Sequence, residues 1–338
     1  MRRPTVSVRG TPARATGLLL AALLLLVAVV LSVSVGSRSI PIADVWSLVV
    51  HRDDSEASLI VHEVRLPRTV LGLLVGAGLG LAGALLQALT RNPLADPGLL
   101  GVTYGAAAAV VVAVALLGPV APALQVWFAI LGAGAATAVV YVVAGGSRAT
   151  PVRLALAGIA MTFALYAVVR GATILDRSAL ERYRFWQVGS LSGQDPDRVL
   201  QMAPFLAVGI VLALLLARPL NALALGDEAG RALGLRAGAT RTTTIVAATL
   251  LAGAATAAAG PLAFVGLVVP HVARILAGPD HRWSLPYALV LAPALLLLAD
   301  VVGRVVASPQ ELRVSIVISL IGGPVFILLV RRRGVPRL

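Results

Sequence analysis

PGLLGVTYGAAAAVVVAVALLGPVAPALQVWFAILGAGAATAVVYVVAGGS, residues 97–147, contains no Asp, Glu, Lys or Arg. An α-helix rises about 1.5 Å per residue, so about 20 residues cross the roughly 30 Å of hydrocarbon in a bilayer. The stretch is long enough for two crossings, and Gly118-Pro119 interrupts it where a helix would stop. Residues 242–273 are also free of charge. Over all 338 residues, 59% are hydrophobic and 13% charged, whereas a soluble domain is about 45–50% apolar. Helices satisfy their own backbone in lipid, so the fold class is an all-α integral membrane protein.

Outward from that stretch, apolar runs recur along the whole chain. Spans are expected at about 17–36, 66–89, 97–117, 122–144, 152–172, 200–217, 240–259, 262–277, 285–303 and 313–330. The first run is longer than the apolar core of a signal peptide and lacks a clear cleavage site, so it reads as a retained helix. A basic tail, 1–16, precedes a single ten-helix domain over 17–330, and a basic end, 331–338, follows it. Residues 37–65 and 173–199 read as polar loops, with Trp186 as an interfacial anchor. With both termini in the cytoplasm, inner segments hold 17 of the 28 arginines and outer segments 11. That bias places both termini and residues 219–241 inside. The formal charge of +13 is thereby assigned to loops facing the cytoplasm rather than to nucleic acid. The chain has no cysteine and hence no disulfide or thiolate chemistry. All of its basic residues are arginine, as a GC-rich bacterial genome would favour.

PLNALALGDEAGRALGLRAGATR, residues 219–241, is the one sizeable polar segment between long apolar spans in the second half of the chain. Leu225, Ala229, Ala232 and Leu233 recur at spacings of three and four, which reads as a short helix. Asp227 and Glu228 suit its first turn, Arg231 and Arg236 its later turns, and Gly234 its end. An ordinary amphipathic loop would show the same spacing. Gly78, Gly80 and Gly83 match GxGxxG, but they lie inside an apolar span, where small residues serve close helix packing. Between the second and third spans, RNPLADP (91–97) must turn, which places Asn92 and Leu94 at the inner mouth. His271 and His281 lack a second ligand at chelating spacing, so no metal site is assigned. No phosphate-loop motif and no nucleophile–base arrangement is present, so no catalytic residue is assigned and ATP hydrolysis is not expected of this chain.

RLPRTVLGLLVGAGLGLAGALLQALTRNPLADPGLLGVTYGA (65–106) closely resembles the FecCD-type permeases of ATP-binding-cassette (ABC) importers. LALGDEAGRALGL (223–235), AGPLAFVGLVVPHVARILAGPDHR (259–282) and IGGPVFILLVRRR (321–333) agree in the same order. The resemblance implies a ten-helix permease of the type II, vitamin B12 importer kind, moving iron–siderophores, haem or cobalamin. It implies a second permease, identical or homologous, two ATPase subunits beneath and a substrate-binding protein outside. No cofactor is expected on this chain; ATP and Mg belong to the partner ATPases. The resemblance makes Leu225, Gly226, Asp227, Glu228, Arg231, Leu233 and Gly234 the ATPase-coupling segment, Asn92 and Leu94 inner-gate residues, and Arg65, Arg68 and Arg304 docking residues for the binding protein. The bland reading of those arginines is snorkelling, or pairing with Glu63 and Asp300.

Two stretches depart from the family pattern. A polar Thr-Ser pair expected at the start of the fifth span is Pro151-Val152 here, which weakens the carry-over of that gate element. The ELPxG pattern before the tenth span reads Glu311-Leu312-Arg313-Val314-Ser315, so an outward arginine and a more continuous helix start are expected. The resemblance implies a ferric-siderophore permease working by alternating access in the cytoplasmic membrane, its path expected to be flanked by residues 76–90 and 152–172. Haem or cobalamin is the sibling alternative. An ion-coupled secondary transporter is the rival class, opposed by span interiors bare of carboxylates.

Overall fold

The computed structural model describes residues 10–36, 40–118, 120–146, 149–193, 196–232 and 234–333. The elements among the described residues are all helical, in the order α1 (Thr11–Ser34), α2 (Ile42–Val50), α3 (Glu56–Leu59), a π-helical turn (Ile60–Arg65), α4 (Leu66–Thr90), a 3-10 turn (Pro97–Leu100), α5 (Val102–Leu117) and α6 (Pro122–Val143). There follow α7 (Pro151–Leu175), α8 (Arg177–Trp186), α9 (Pro196–Leu215), α10 (Ala217–Ala224), α11 (Asp227–Ala232), α12 (Ala237–Ala259), α13 (Val265–Ala277), α14 (His281–Val306) and α15 (Val314–Arg333).

Among the described residues, six helices are long and apolar enough to cross a membrane, and α9 with α10 forms a seventh candidate bent by 47°. The shorter apolar helices α5, α13 and α15 stand where the sequence places its third, eighth and tenth spans. The loop expected at 37–65 is instead largely helical. Ser55 caps α3 by accepting from the Ser58 amide, and the helix then runs on through the π turn into α4. Val61 on that turn is fully buried with Val33, Val45 and Leu48, and this small apolar cluster holds the segment down. The 173–199 segment likewise contains α8, whose Trp186 packs against the core.

The core is organised around α4, which packs against α14, α12, α13 and α9. Its glycines permit this crowding. A Cβ on Gly83 would overlap the carbonyl of Gly266 on α13, and one on Gly76 would stand 2.5 Å from the Pro293 Cα on α14. Close backbone approach of this kind is how helices associate where lipid removes the hydrophobic drive between them. The literal GxGxxG is therefore a packing surface on an unbroken helix. By contrast, among the described residues α7 packs mainly against α5, α6, α8 and the 3-10 turn, and only slightly against α4.

Candidate translocation path and coupling surface

At one end of the bundle, α9 breaks into α10 and α11. The spacing reads as a short helix there and the family resemblance implies coupling helices over 219–241; the chain forms α10 and α11. Gly226 between them takes φ +101° and Gly234 beyond them φ +80°, conformations that favour glycine. Leu225 is 65% exposed, and Glu228, Ala229, Arg231 and Ala232 are exposed with it. A leucine, two alanines and two opposite charges are thus all uncovered on this segment. Asp227 opens α11. Leu233 lies outside the described residues.

Two polar tethers bind α10 to the bundle. Arg91, which ends α4 in a left-handed conformation (φ 49°), donates from Nη2 to the Leu223 carbonyl at 2.7 Å. Asn221 donates from Nδ2 to Asp280 Oδ1 at 2.6 Å and accepts from the His281 amide at 2.9 Å. Asp280 also accepts from the Arg282 amide and so caps α14. Burial pushes the Asp280 carboxyl up, but these hydrogen bonds and the charge of Arg282 hold it below the ordinary carboxylate value. A displacement of α10 therefore pulls on the end of α4 and the start of α14 together.

The end of α4 leads into the turn carrying Asn92 and Leu94. Asn92 Oδ1 accepts from the Leu94 amide at 2.9 Å, and both residues are exposed. Gln87, fully buried, fixes this turn to α13: its Nε2 donates to the carbonyls of Ala95 (3.3 Å), Gly266 (3.2 Å) and Leu267 (3.2 Å). Its Oε1 accepts from Arg274 Nη2 at 2.6 Å. Sequence reasoning missed this pair; the signal was one amide and one arginine set in otherwise apolar spans. His271 is buried in α13, and among the described residues no group of three His, Cys, Asp or Glu could hold a metal.

Two cavities flank the turn. One, of about 290 Å³, opens between Thr90, Asn92 and the start of α7, where Pro151 and Val152 form its wall. The departure from the polar Thr-Ser pair thus falls on this cavity. The other, of about 540 Å³, lies between α5, α7 and α8. Both are lined by Asp96 and Leu99, so the 3-10 turn separates one from the other. Asp96 caps that turn, accepting from the Gly98 amide at 2.8 Å. Burial pushes its carboxyl above the ordinary value.

At the opposite end, the three arginines singled out in the sequence come together around α4, but buried. Arg68 donates to Asp300 Oδ1 at 2.7 Å and to Glu311 Oε2 at 2.6 Å. Arg304 stands 3.3 Å from the other Asp300 oxygen and donates to the carbonyls of Ser32 (3.0 Å) and Val35 (2.7 Å). Arg65 donates to the Val33 and Ser34 carbonyls at 3.0 and 2.7 Å. The pairing reading of these residues thus holds for Asp300, whereas Glu63 pairs with Arg52 on the surface. Glu311, with 28% of its side chain exposed, is the member nearest solvent. With Arg313, Arg184 and Glu181 it lines a cavity of about 610 Å³, and α15 begins at Val314.

A helical bundle with spans of this length and apolarity, built on a tightly packed α4 with an open wall along α7, is a multi-pass membrane protein. The chain belongs to the FecCD transport family, whose model matches residues 24–332. It is 47% identical over 314 residues to the ferric enterobactin transport system permease protein FepD of Escherichia coli, covering 92% of this chain and 93% of that one. It is 41% identical over 302 residues to the Fe(3+)-citrate import system permease protein YfmD of Bacillus subtilis, covering 89% and 90%. The structure is similar to a metal-chelate type ABC transporter solved in an inward-facing conformation, with a TM-score of 0.84 and 29% identity over 94% of this chain and 99% of that one.

Proposed function

We propose that this chain is the membrane permease of an ABC importer that carries a ferric siderophore intact across the cytoplasmic membrane by alternating access. The observation that carries the reading is the exposed α10–α11 pair, tethered to α4 by Arg91 and to α14 by Asn221, in a chain of this family. Partner ATPases, holding ATP and Mg, press on Leu225, Gly226, Asp227, Glu228, Arg231, Leu233 and Gly234. Their closure moves α10, and Arg91 passes that motion to the turn bearing Asn92 and Leu94. The arginine bias supports placing both termini and this face in the cytoplasm. A second permease, identical or homologous, completes the path.

On the outer face, the loaded binding protein docks over Arg65, Arg68 and Arg304. Because these arginines have partners within the chain, docking proceeds by exchange: an acidic residue of the binding protein takes the place of Glu311 on Arg68. The chain itself is a transport component, and bond chemistry belongs to the ATPases. Radio-iron uptake in cells lacking the gene tests the reading, with ferric siderophores, cobalamin and haem supplied in turn. Siderophore uptake is lost, restored by the gene and not by a copy scrambled over 226–234. Normal siderophore uptake in the deleted cells, with loss of cobalamin or haem uptake, overturns the substrate.

A further inference from the structure

A further cavity, of about 250 Å³, lies where α4, α6, α7, α10 and α12 meet. Part of its wall is apolar and buried, formed by Leu89, Leu154 and Ile245. Arg91 and Arg241 also line it. The Arg91 guanidinium is placed on the wall by its bond to the Leu223 carbonyl, since Leu223 lines the same space. A third guanidinium stands at the rim: a Cβ on Gly145, next to the lining Gly146, would lie 3.9 Å from Arg153 Nη1. The wall between α6 and α12 is fixed by a relay of hydroxyls. Thr242 donates to the Gly238 carbonyl at 3.1 Å, so the Tyr141 hydroxyl donates to Thr242 at 2.7 Å.

Among the described residues that line this cavity there is no carboxylate. Positive charges gathered against an apolar wall repel one another more strongly than in water, and an anion between them turns that repulsion into attraction. The planar guanidinium fork matches the oxygens of a phosphoryl group in pairs. Pockets for whole small molecules hold about 300–1,000 Å³, so this smaller space suits a head group rather than a large chelate. Val142, Val143 and Val152, on the adjoining ends of α6 and α7, are exposed. Charge in a cavity beside exposed apolar surface is the pattern that a phospholipid complements, and basic pockets between spans on the cytoplasmic side hold such head groups.

Resting on the reading that places this end of the bundle in the cytoplasm, we infer that the cavity binds a phosphoryl anion, held by Arg91 and Arg241 with Arg153 at the rim. The head group of an anionic phospholipid and free phosphate share this chemistry. The occupant joins α4 to α12 beside Leu223 of α10. It thereby stiffens the joint at which Arg91 tethers the coupling helices.

The test uses the full chain in a neutral detergent, titrated with phosphatidylglycerol, phosphatidylcholine or inorganic phosphate. Affinity is read from the rise in the unfolding midpoint. Wild type is expected to bind phosphatidylglycerol about tenfold more tightly than phosphatidylcholine. Arg241→Gln weakens that binding about fivefold, and Arg241→Lys less than about threefold. Arg282→Gln removes the same charge from an exposed side chain that does not line the cavity, and changes it less than about twofold. Should Arg241→Gln fail to fold, Arg153→Gln, at an exposed position, weakens binding about threefold. Inorganic phosphate that displaces phosphatidylglycerol, and does so through Arg241, upholds the site with a soluble occupant; phosphate without effect upholds it with a lipid one. Equal binding of the two lipids with no effect of phosphate, or equal weakening by Arg241→Gln and Arg282→Gln, overturns the inference and leaves the permease reading standing. Binding needs neither ATP nor cargo, so failure of the permease reading in uptake leaves these affinities unchanged.

Discussion

α4 and α7 are each 25 residues long, and their spans differ little in hydropathy, at 2.1 and 2.0. Yet 18 of the 25 residues of α4 are buried inside the bundle and only four of the 25 in α7. The difference lies in what the side chains permit. α4 offers small residues where α13 and α14 approach, so backbone meets backbone along its length. It is also tied at both ends, through Arg68 to Asp300 and through Arg91 to Leu223. α7 has one such point, Gly158 against the Leu99 carbonyl, and otherwise presents a stripe of exposed side chains. Hydropathy selects helices for the membrane, and side-chain size and end tethers divide them into a fixed post and an open wall.

The largest effect that separates the two is expected at the outer tether. Asp300→Ala leaves the buried Arg68 and Arg304 without their shared carboxylate and costs about 3–5 kcal/mol. Thermal unfolding of the purified complex reads this as a marked loss of Tm; an unchanged Tm would remove the tether from the account. Next, Gly83→Leu forces a side chain into the Gly266 carbonyl and costs about 3 kcal/mol or more, seen as loss of the chain from the membrane fraction. Ala160→Leu, on the exposed face of α7, changes stability by less than about 0.5 kcal/mol. Equal damage from both would break the contrast.

Gln87→Ala orphans the buried end of Arg274 and frees the 91–96 turn, at about 1–3 kcal/mol. A Tm as in wild type would show that the turn is held otherwise. Smaller than at Gln87 is the stability effect of Arg91→Ala, which removes one hydrogen bond, about 1 kcal/mol. Its expected signature is functional: ATP hydrolysis by the assembled importer continues while uptake falls several-fold. Uptake and hydrolysis falling in step would mean that Arg91 acts on assembly and not on coupling.

Much of this was legible in the sequence. Uncharged stretches and Pro-Gly breaks located the ten apolar helices, since the bilayer sets a length that composition alone reveals. The 219–241 segment was legible as a surface element of short helices, but not the place of the break, because Leu225 and Ala229 keep helical spacing across the left-handed Gly226. The helices within 37–65 were hidden by their charges; the burial of Val61 against Val33 and Val45, which holds that segment down, is a tertiary fact. Arg65, Arg68 and Arg304 were visible as outer charges. Their burial was not, because Asp300, which lies 232 residues beyond Arg68, sets it. The contrast between α4 and α7 is of the same kind: local sequence states what can enter the membrane, and only neighbours decide which face is covered.

The account rests most directly on what drives transport. The decisive measurement is radio-iron accumulation in proteoliposomes holding this chain with its partner subunits and the loaded binding protein, with and without internal-facing ATP and with ion gradients collapsed. The account predicts accumulation that needs ATP, persists without any ion gradient, and disappears when 226–234 is scrambled. Accumulation driven by an ion gradient in the absence of ATP would contradict it.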